Sequence, residues 1–130
     1  MSMRDFPPEF RGGARTLAVD FDGVLHDDHL GFHDGSCYGE PIQGSLASIQ
    51  NLALTFRVVV FSAKARADRP LHNGLTGLEL IWDWLRRHGF ESCVSEVTSE
   101  KPRAELYIDD KGLRFENWAK TVAFIDKEIR

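Results

Sequence analysis

Asp20 and Asp22 stand two residues apart where the apolar run Leu17-Ala18-Val19 gives out, and Gly23 follows them. Two carboxylates this close oppose each other's ionisation and are costly to bury. A divalent cation or a solvent-filled cleft relieves both costs, and Gly23 lets the chain turn away. The pattern of polar groups after an apolar run recurs. Ser62 follows the run 56–61 with Val58-Val59-Val60 at its centre, and Asp109-Asp110 follow Leu106-Tyr107-Ile108. In open α/β sheets, ligands bind outside the carboxyl ends of the strands. Parallel strands therefore bring Asp20/Asp22, Ser62 and Asp109/Asp110 to one edge, with Lys101 in the loop before the last of them. Carboxylate oxygens suit a hard cation, and Mg²⁺ also accepts phosphate oxygens. The Ser62 hydroxyl, the backbone N–H groups that follow it from Ala63 on, and Lys101 supply donors for a phosphate. The set points to phosphoryl chemistry with a carboxylate nucleophile. No Gly-rich Walker loop is present, which excludes nucleotide binding by that route.

The elements that position these residues are legible in the pattern. At 130 residues the chain suits one domain, expected over residues 16–130 behind a flexible N-terminal arm, 1–15. Its 42% hydrophobic and 28% charged residues are an ordinary balance for a globular chain. The net charge of −4 argues against a general basic coat for nucleic acid. No apolar run approaches the length of a membrane span, and no signal-peptide core is visible, so a cytoplasmic protein without membrane partners is expected. The two cysteines, Cys37 and Cys93, have no metal or disulfide spacing. Strands are expected at 16–20, 56–61, 93–98 and 105–108, with a short extended piece at 113–115. Ser45 reads as the N-cap of a helix carrying Leu46, Ile49 and Leu52. Thr76 and Glu79 form a capping-box pattern before a helix face of Leu78, Ile81, Trp82 and Leu85, widened by Leu80 and Trp84, with Gly89 at the far end. Trp118, Val122, Ile125 and Ile129 share one stripe of a C-terminal helix. The alternation predicts a three-layer α/β/α sandwich around a mostly parallel sheet. Residues 26–39 read as a polar loop or short β-flap after the first strand, and the spacing of His26, His29 and His33 matches no metal-ligand set.

Asp20-Phe21-Asp22-Gly23-Val24-Leu25, Phe61-Ser62, Lys101-Pro102 and Tyr107-Ile108-Asp109-Asp110 resemble, in order, the four motifs of the haloacid dehalogenase superfamily. The stretch from Lys101 to Phe115 is similar to small phosphatase-type members of bacteria and phages. The resemblance implies a Rossmann-like fold and a Mg²⁺-dependent phosphomonoesterase with an aspartyl-phosphate intermediate. Asp20 would be the nucleophile, and Asp22 the acid and then the base, its backbone carbonyl touching the metal. Ser62 and Lys101 would hold the transferring group. Asp109 and Asp110 would hold Mg²⁺, with Asp110 the direct ligand.

Relatives often carry a cap domain, and the short gaps on either side of Ser62 leave no room for a large one. An open site is expected, suited to a nucleic-acid end or another large phosphorylated substrate, or to a small ester if a second subunit of an oligomer forms the lid. Ala63, Lys64 and Arg66 would contact the substrate, and His26 and Tyr38 sit where a flap would cover the leaving group. Two alternatives share these residue types. A receiver-like domain phosphorylated on Asp places its acidic pair early and its phosphorylated Asp later, the reverse of the order here. A catalytically silent, partner-binding protein of the same fold is opposed by the presence of every proposed catalytic residue.

Overall fold

The structure is a computed structural model that describes residues 15–31, 33–109 and 113–129. The expected arm and Asp110 lie outside the described residues, except that Arg15 already belongs to the first strand. The chain runs β1 (Arg15–Asp20), α1 (Ser45–Leu52), β2 (Phe56–Phe61), α2 (Gly77–Arg87), β3 (Glu96–Thr98), β4 (Leu106–Asp109), β5 (Leu113–Arg114) and α3 (Trp118–Glu128), with a 3-10 turn at Ala63–Ala65. The strands form one sheet in the order β3-β2-β1-β4-β5, and every neighbouring pair is parallel. The α/β architecture expected from the alternation is thus present.

Side chains alternate across a strand, and register decides which face each joins. Leu17 pairs with Val58, Val19 with Val60 and Ile108, and Val60 with Val97. All of these enter a single core, together with Ile49 and Leu52 of α1, Ile81, Trp84 and Leu85 of α2, and Trp118 and Ile125 of α3. The three helices therefore cover the same face. Truncating either fully buried tryptophan would cost about 3–5 kcal/mol. The opposite face carries Ala18, Val59, Phe61 and Tyr107. It is crossed by the extended connection 99–105, which returns the chain from β3 to β4. Lys101 Nζ lies 5.6 Å from the centre of the Phe61 ring and 5.0 Å from that of Tyr107. The Tyr107 hydroxyl donates to the Pro102 carbonyl, and Glu105 N–H to the Thr16 carbonyl. The layer on this side is thin.

The helix ends follow local chemistry, with one correction. Thr76 caps α2 in a complete capping box with Glu79, Arg86 and Arg87 occupy its last turn, and Gly89 follows with φ +85°. The N-cap of α1 is Gly44, in the left-handed region at φ 83°, and not Ser45. Ser45 is the first helical residue and fully buried, so its hydroxyl is not turned back to cap. β3 is shorter than expected because Cys93 and Val94 N–H groups turn back to the Phe90 carbonyl. Asp109 is the last residue of β4 and not the first beyond it.

The expected β-flap is a run of turns, tied down by single bridges of His26 to Asp22 and to Pro41. Among the described residues, the stretch from β1 to β2 holds these turns and α1, and that from β2 to β3 holds the 3-10 turn and α2. Among the described residues no helix is long and apolar enough to cross a membrane.

Candidate active site

After β3 the chain returns to the far side of β1, so the sheet order reverses between β1 and β4. Such a switch point opens a crevice at the carboxyl ends of its strands. Asp20 ends β1 and Asp109 ends β4, one position beyond the paired Val19 and Ile108. Asp20, Asp22 and Asp109 line one cavity of about 290 Å³ there, with Arg114 and Phe115. Asp20 Oδ1 accepts the N–H of Phe21 at 2.8 Å. The nearly buried Asp109 has Lys101 Nζ 2.7 Å from its Oδ2, so the lysine reaches the cavity's edge through this carboxylate.

Ser62 sits at the same sheet edge but does not line the cavity. Its N–H donates to the Thr98 carbonyl at 3.0 Å. Its Oγ accepts the Lys64 N–H at 3.1 Å, capping the 3-10 turn and leaving its own O–H able to donate. Ala63 is exposed. Arg66 is turned to Asp68, with nitrogen–oxygen distances of 3.0 and 2.7 Å on the surface.

Lys64 departs furthest from a loop cation. It is buried, with Nζ 3.1 Å from Asp22 Oδ1 and 3.4 Å from the Ser36 carbonyl. It also borders a second cavity, of about 340 Å³, with Asp34, Arg69 and His72. His26 departs similarly. It does not overhang the cavity but is fully buried, stacked on Phe21 at 5.1 Å with the rings 3° apart. Its Nδ1 is 2.8 Å from Asp22 Oδ1. Gly39 N–H donates to its Nε2 at 2.9 Å, so Nε2 is the acceptor and the ring's proton sits on Nδ1, donated to Asp22. Tyr38 bonds within the flap, its hydroxyl donating to the Gly31 carbonyl and accepting from Leu30 N–H. Burial pushes the Asp22 carboxyl up. The His26 hydrogen bond and then the Lys64 ammonium outweigh burial and hold the carboxyl below its ordinary value of 3.8.

Three residues of this site were not picked out from sequence for these places. Arg114 is brought to the cavity because β5 pairs it directly with Asp109. The short apolar piece around it was legible, and the register was the missing signal. The contacts of His26 and Lys64 with Asp22 depend on the folding of the flap over α2.

Among the described residues, no group of three or more His, Cys, Asp or Glu side chains is arranged to hold a metal ion. The donor chemistry still fits Mg²⁺. That ion is commonly held by one or two carboxylates, completed by water and substrate phosphate oxygens. Asp20 and Asp109 supply two carboxylates at adjoining strand ends.

The chain is similar to the phospholysine phosphohistidine inorganic pyrophosphate phosphatase of Bos taurus. The two are 35% identical over 106 residues, 78% of this chain and 33% of that protein. The chain thus spans about a third of the length of the curated relative it matches. No family model matches the chain, and no solved structure matches it.

Proposed function

We propose that the protein is a Mg²⁺-dependent phosphatase of the haloacid dehalogenase type that works through an aspartyl-phosphate on Asp20. The observation that carries this reading is the convergence of Asp20, Asp22 and Asp109 on one cavity at the switch point, with Lys101 on Asp109. The similarity to a phosphatase supports it over the aligned third of that relative.

Asp20, the Asp22 backbone carbonyl and the Asp109-Asp110 pair, with Asp110 as the direct ligand of the two, would hold the metal. The bound ion would offset the repulsion between a phosphate dianion and these carboxylates. A carboxylate oxygen of Asp20 attacks phosphorus and the bond from phosphorus to the leaving oxygen breaks. Asp22 gives that oxygen a proton. Asp22 then takes a proton from the water that attacks the aspartyl-phosphate, which frees inorganic phosphate and restores Asp20. The ordinary state of Asp22, ionised by its two donors, suits the second step. The charge of a bound phosphate opposes that ionisation and favours the first. Lys101 and the Ser62 O–H stabilise the transferring group.

The substrate is a phosphorylated molecule whose phosphate enters an uncapped cavity. A nucleic-acid end fits this description, as does a small ester if a second subunit closes over it. The test is phosphate release from an aryl phosphate with Mg²⁺, with EDTA, and in Asp20→Asn. Release should need both the metal and Asp20. Equal rates under the three conditions would overturn the reading.

A further inference from the structure

We propose that His26 is a positioning residue for this chemistry, fixing which oxygen of Asp22 handles the proton. The inference rests on the phosphatase reading above. Both donors converge on one atom: His26 Nδ1 at 2.8 Å and Lys64 Nζ at 3.1 Å from Asp22 Oδ1. A carboxylate oxygen offers about two lone-pair sites, so Oδ1 is fully engaged. Oδ2 is then the atom that meets the leaving oxygen and the attacking water.

The ring that sets this orientation is locked from every side. Gly39 N–H on Nε2 fixes the tautomer, and a flipped ring would turn carbon toward both partners. Phe21 stacks on one side of the ring, while Trp84 and Tyr38 meet it at 87° and 70°. Gly39 is held in turn, its carbonyl accepting Trp84 Nε1–H at 2.8 Å. A side chain at residue 39 is not tolerated, since its Cβ would stand 1.9 Å from the Asp27 carbonyl oxygen. A relay therefore runs from α2 through Trp84, Gly39 and His26 to the carboxylate. His26 itself has no exposed surface from which to reach a substrate. Its effect must pass through Asp22.

The experiment is a double-mutant cycle on an aryl phosphate with Mg²⁺. It compares wild type, His26→Phe and His26→Asn, each alone and with Asp22→Asn. Phenylalanine keeps the stacking and loses the donor, whereas the asparagine amide nitrogen can stand near the position of Nδ1. His26→Phe should lower kcat about 10- to 100-fold with KM changed by less than about twofold. His26→Asn should recover most of the loss. In the Asp22→Asn background, His26→Phe should add nothing. Equal losses in Phe and Asn, or a loss that multiplies with Asp22→Asn, overturn the proposal and give His26 a purely structural role. Should His26→Phe fail to fold by circular dichroism, His26→Gln replaces it. Its amide reaches the Nε2 position, keeps the Gly39 bond and loses the Asp22 one. Wild type without Mg²⁺-dependent release overturns the phosphatase reading and this inference together. An active wild type with multiplying losses overturns this inference alone.

Discussion

Lys101 Nζ stands 2.7 Å from Asp109 Oδ2, although the lysine side chain is 42% exposed and the aspartate only 4%. The pair is half in water, so its stabilisation lies between that of a surface bridge and that of a buried one. Lys101→Met removes this cation from a buried carboxylate. It should cost about 2 kcal/mol, read as a lowered urea midpoint, and reduce phosphate release by at least about tenfold. A Lys101→Met protein as stable and as active as wild type would contradict the pairing.

Gly77 opens α2 against the backbone of Lys64. A Cβ there would stand 1.6 Å from the Lys64 carbonyl oxygen. Gly77→Ala must displace the turn that carries Lys64, at a cost of about 2 kcal/mol, and pull its ammonium from Asp22. Thermal melts and kcat should fall together. Gly74→Ala is the control. It has φ +78° but nothing within 4 Å of an added Cβ, so about 1 kcal/mol of backbone strain is expected with kcat unchanged.

Arg114 shares the cavity with three carboxylates and pairs in register with Asp109. A guanidinium so placed suits an incoming phosphate. Arg114→Ala should raise KM about tenfold, lower kcat less, and weaken competitive inhibition by inorganic phosphate to the same degree. Arg114→Lys should recover part of the binding, because a point charge cannot reproduce a forked contact. Unchanged KM and inhibition would remove Arg114 from the substrate path.

Burial pushes the Cys37 thiol from 9.0 up to about 11. The folded state therefore prefers the protonated thiol. This preference leaves stability intact below pH 9 and erodes it as pH rises through about 11. Urea midpoints between pH 8 and pH 11 should fall more steeply for wild type than for Cys37→Ala. Parallel slopes would place the alkaline loss elsewhere.

What sequence made legible here was local or periodic. The apolar runs of β1 and β2 and the capping box of Thr76 and Glu79 are set by near neighbours, and they appear where expected. So does the stripe of Trp118 and Ile125. The ends of the strands put Asp20 and Asp109 at one edge, as a parallel order requires. Ser45 was misread because capping preference favours serine, while the chain there needed the left-handed conformation open to Gly44. The buried contacts of Lys64 and His26 were not legible for a different reason. Side chains of their type usually lie in solvent. Their burial is decided by pairings across the fold, with Asp22 for the lysine and with Gly39 and Trp84 for the histidine, which no local pattern records.

The indole N–H of Trp118 donates to the Val24 carbonyl at 3.0 Å, across 94 residues of chain. The loop that presents Asp22 is thus fastened by the last helix of the described chain. The pairings of β1 with β2, β2 with β3 and β1 with β4 all join stretches far apart in the chain, and β1 must wait for β4 before Asp20 meets Asp109. Contacts so distant in sequence form late in folding. During synthesis Asp20 and Asp109 would stay apart until β4 had emerged, and the Asp22 loop would stay unfastened until α3 had docked. A nascent chain short of α3 would then hold an unfinished candidate site.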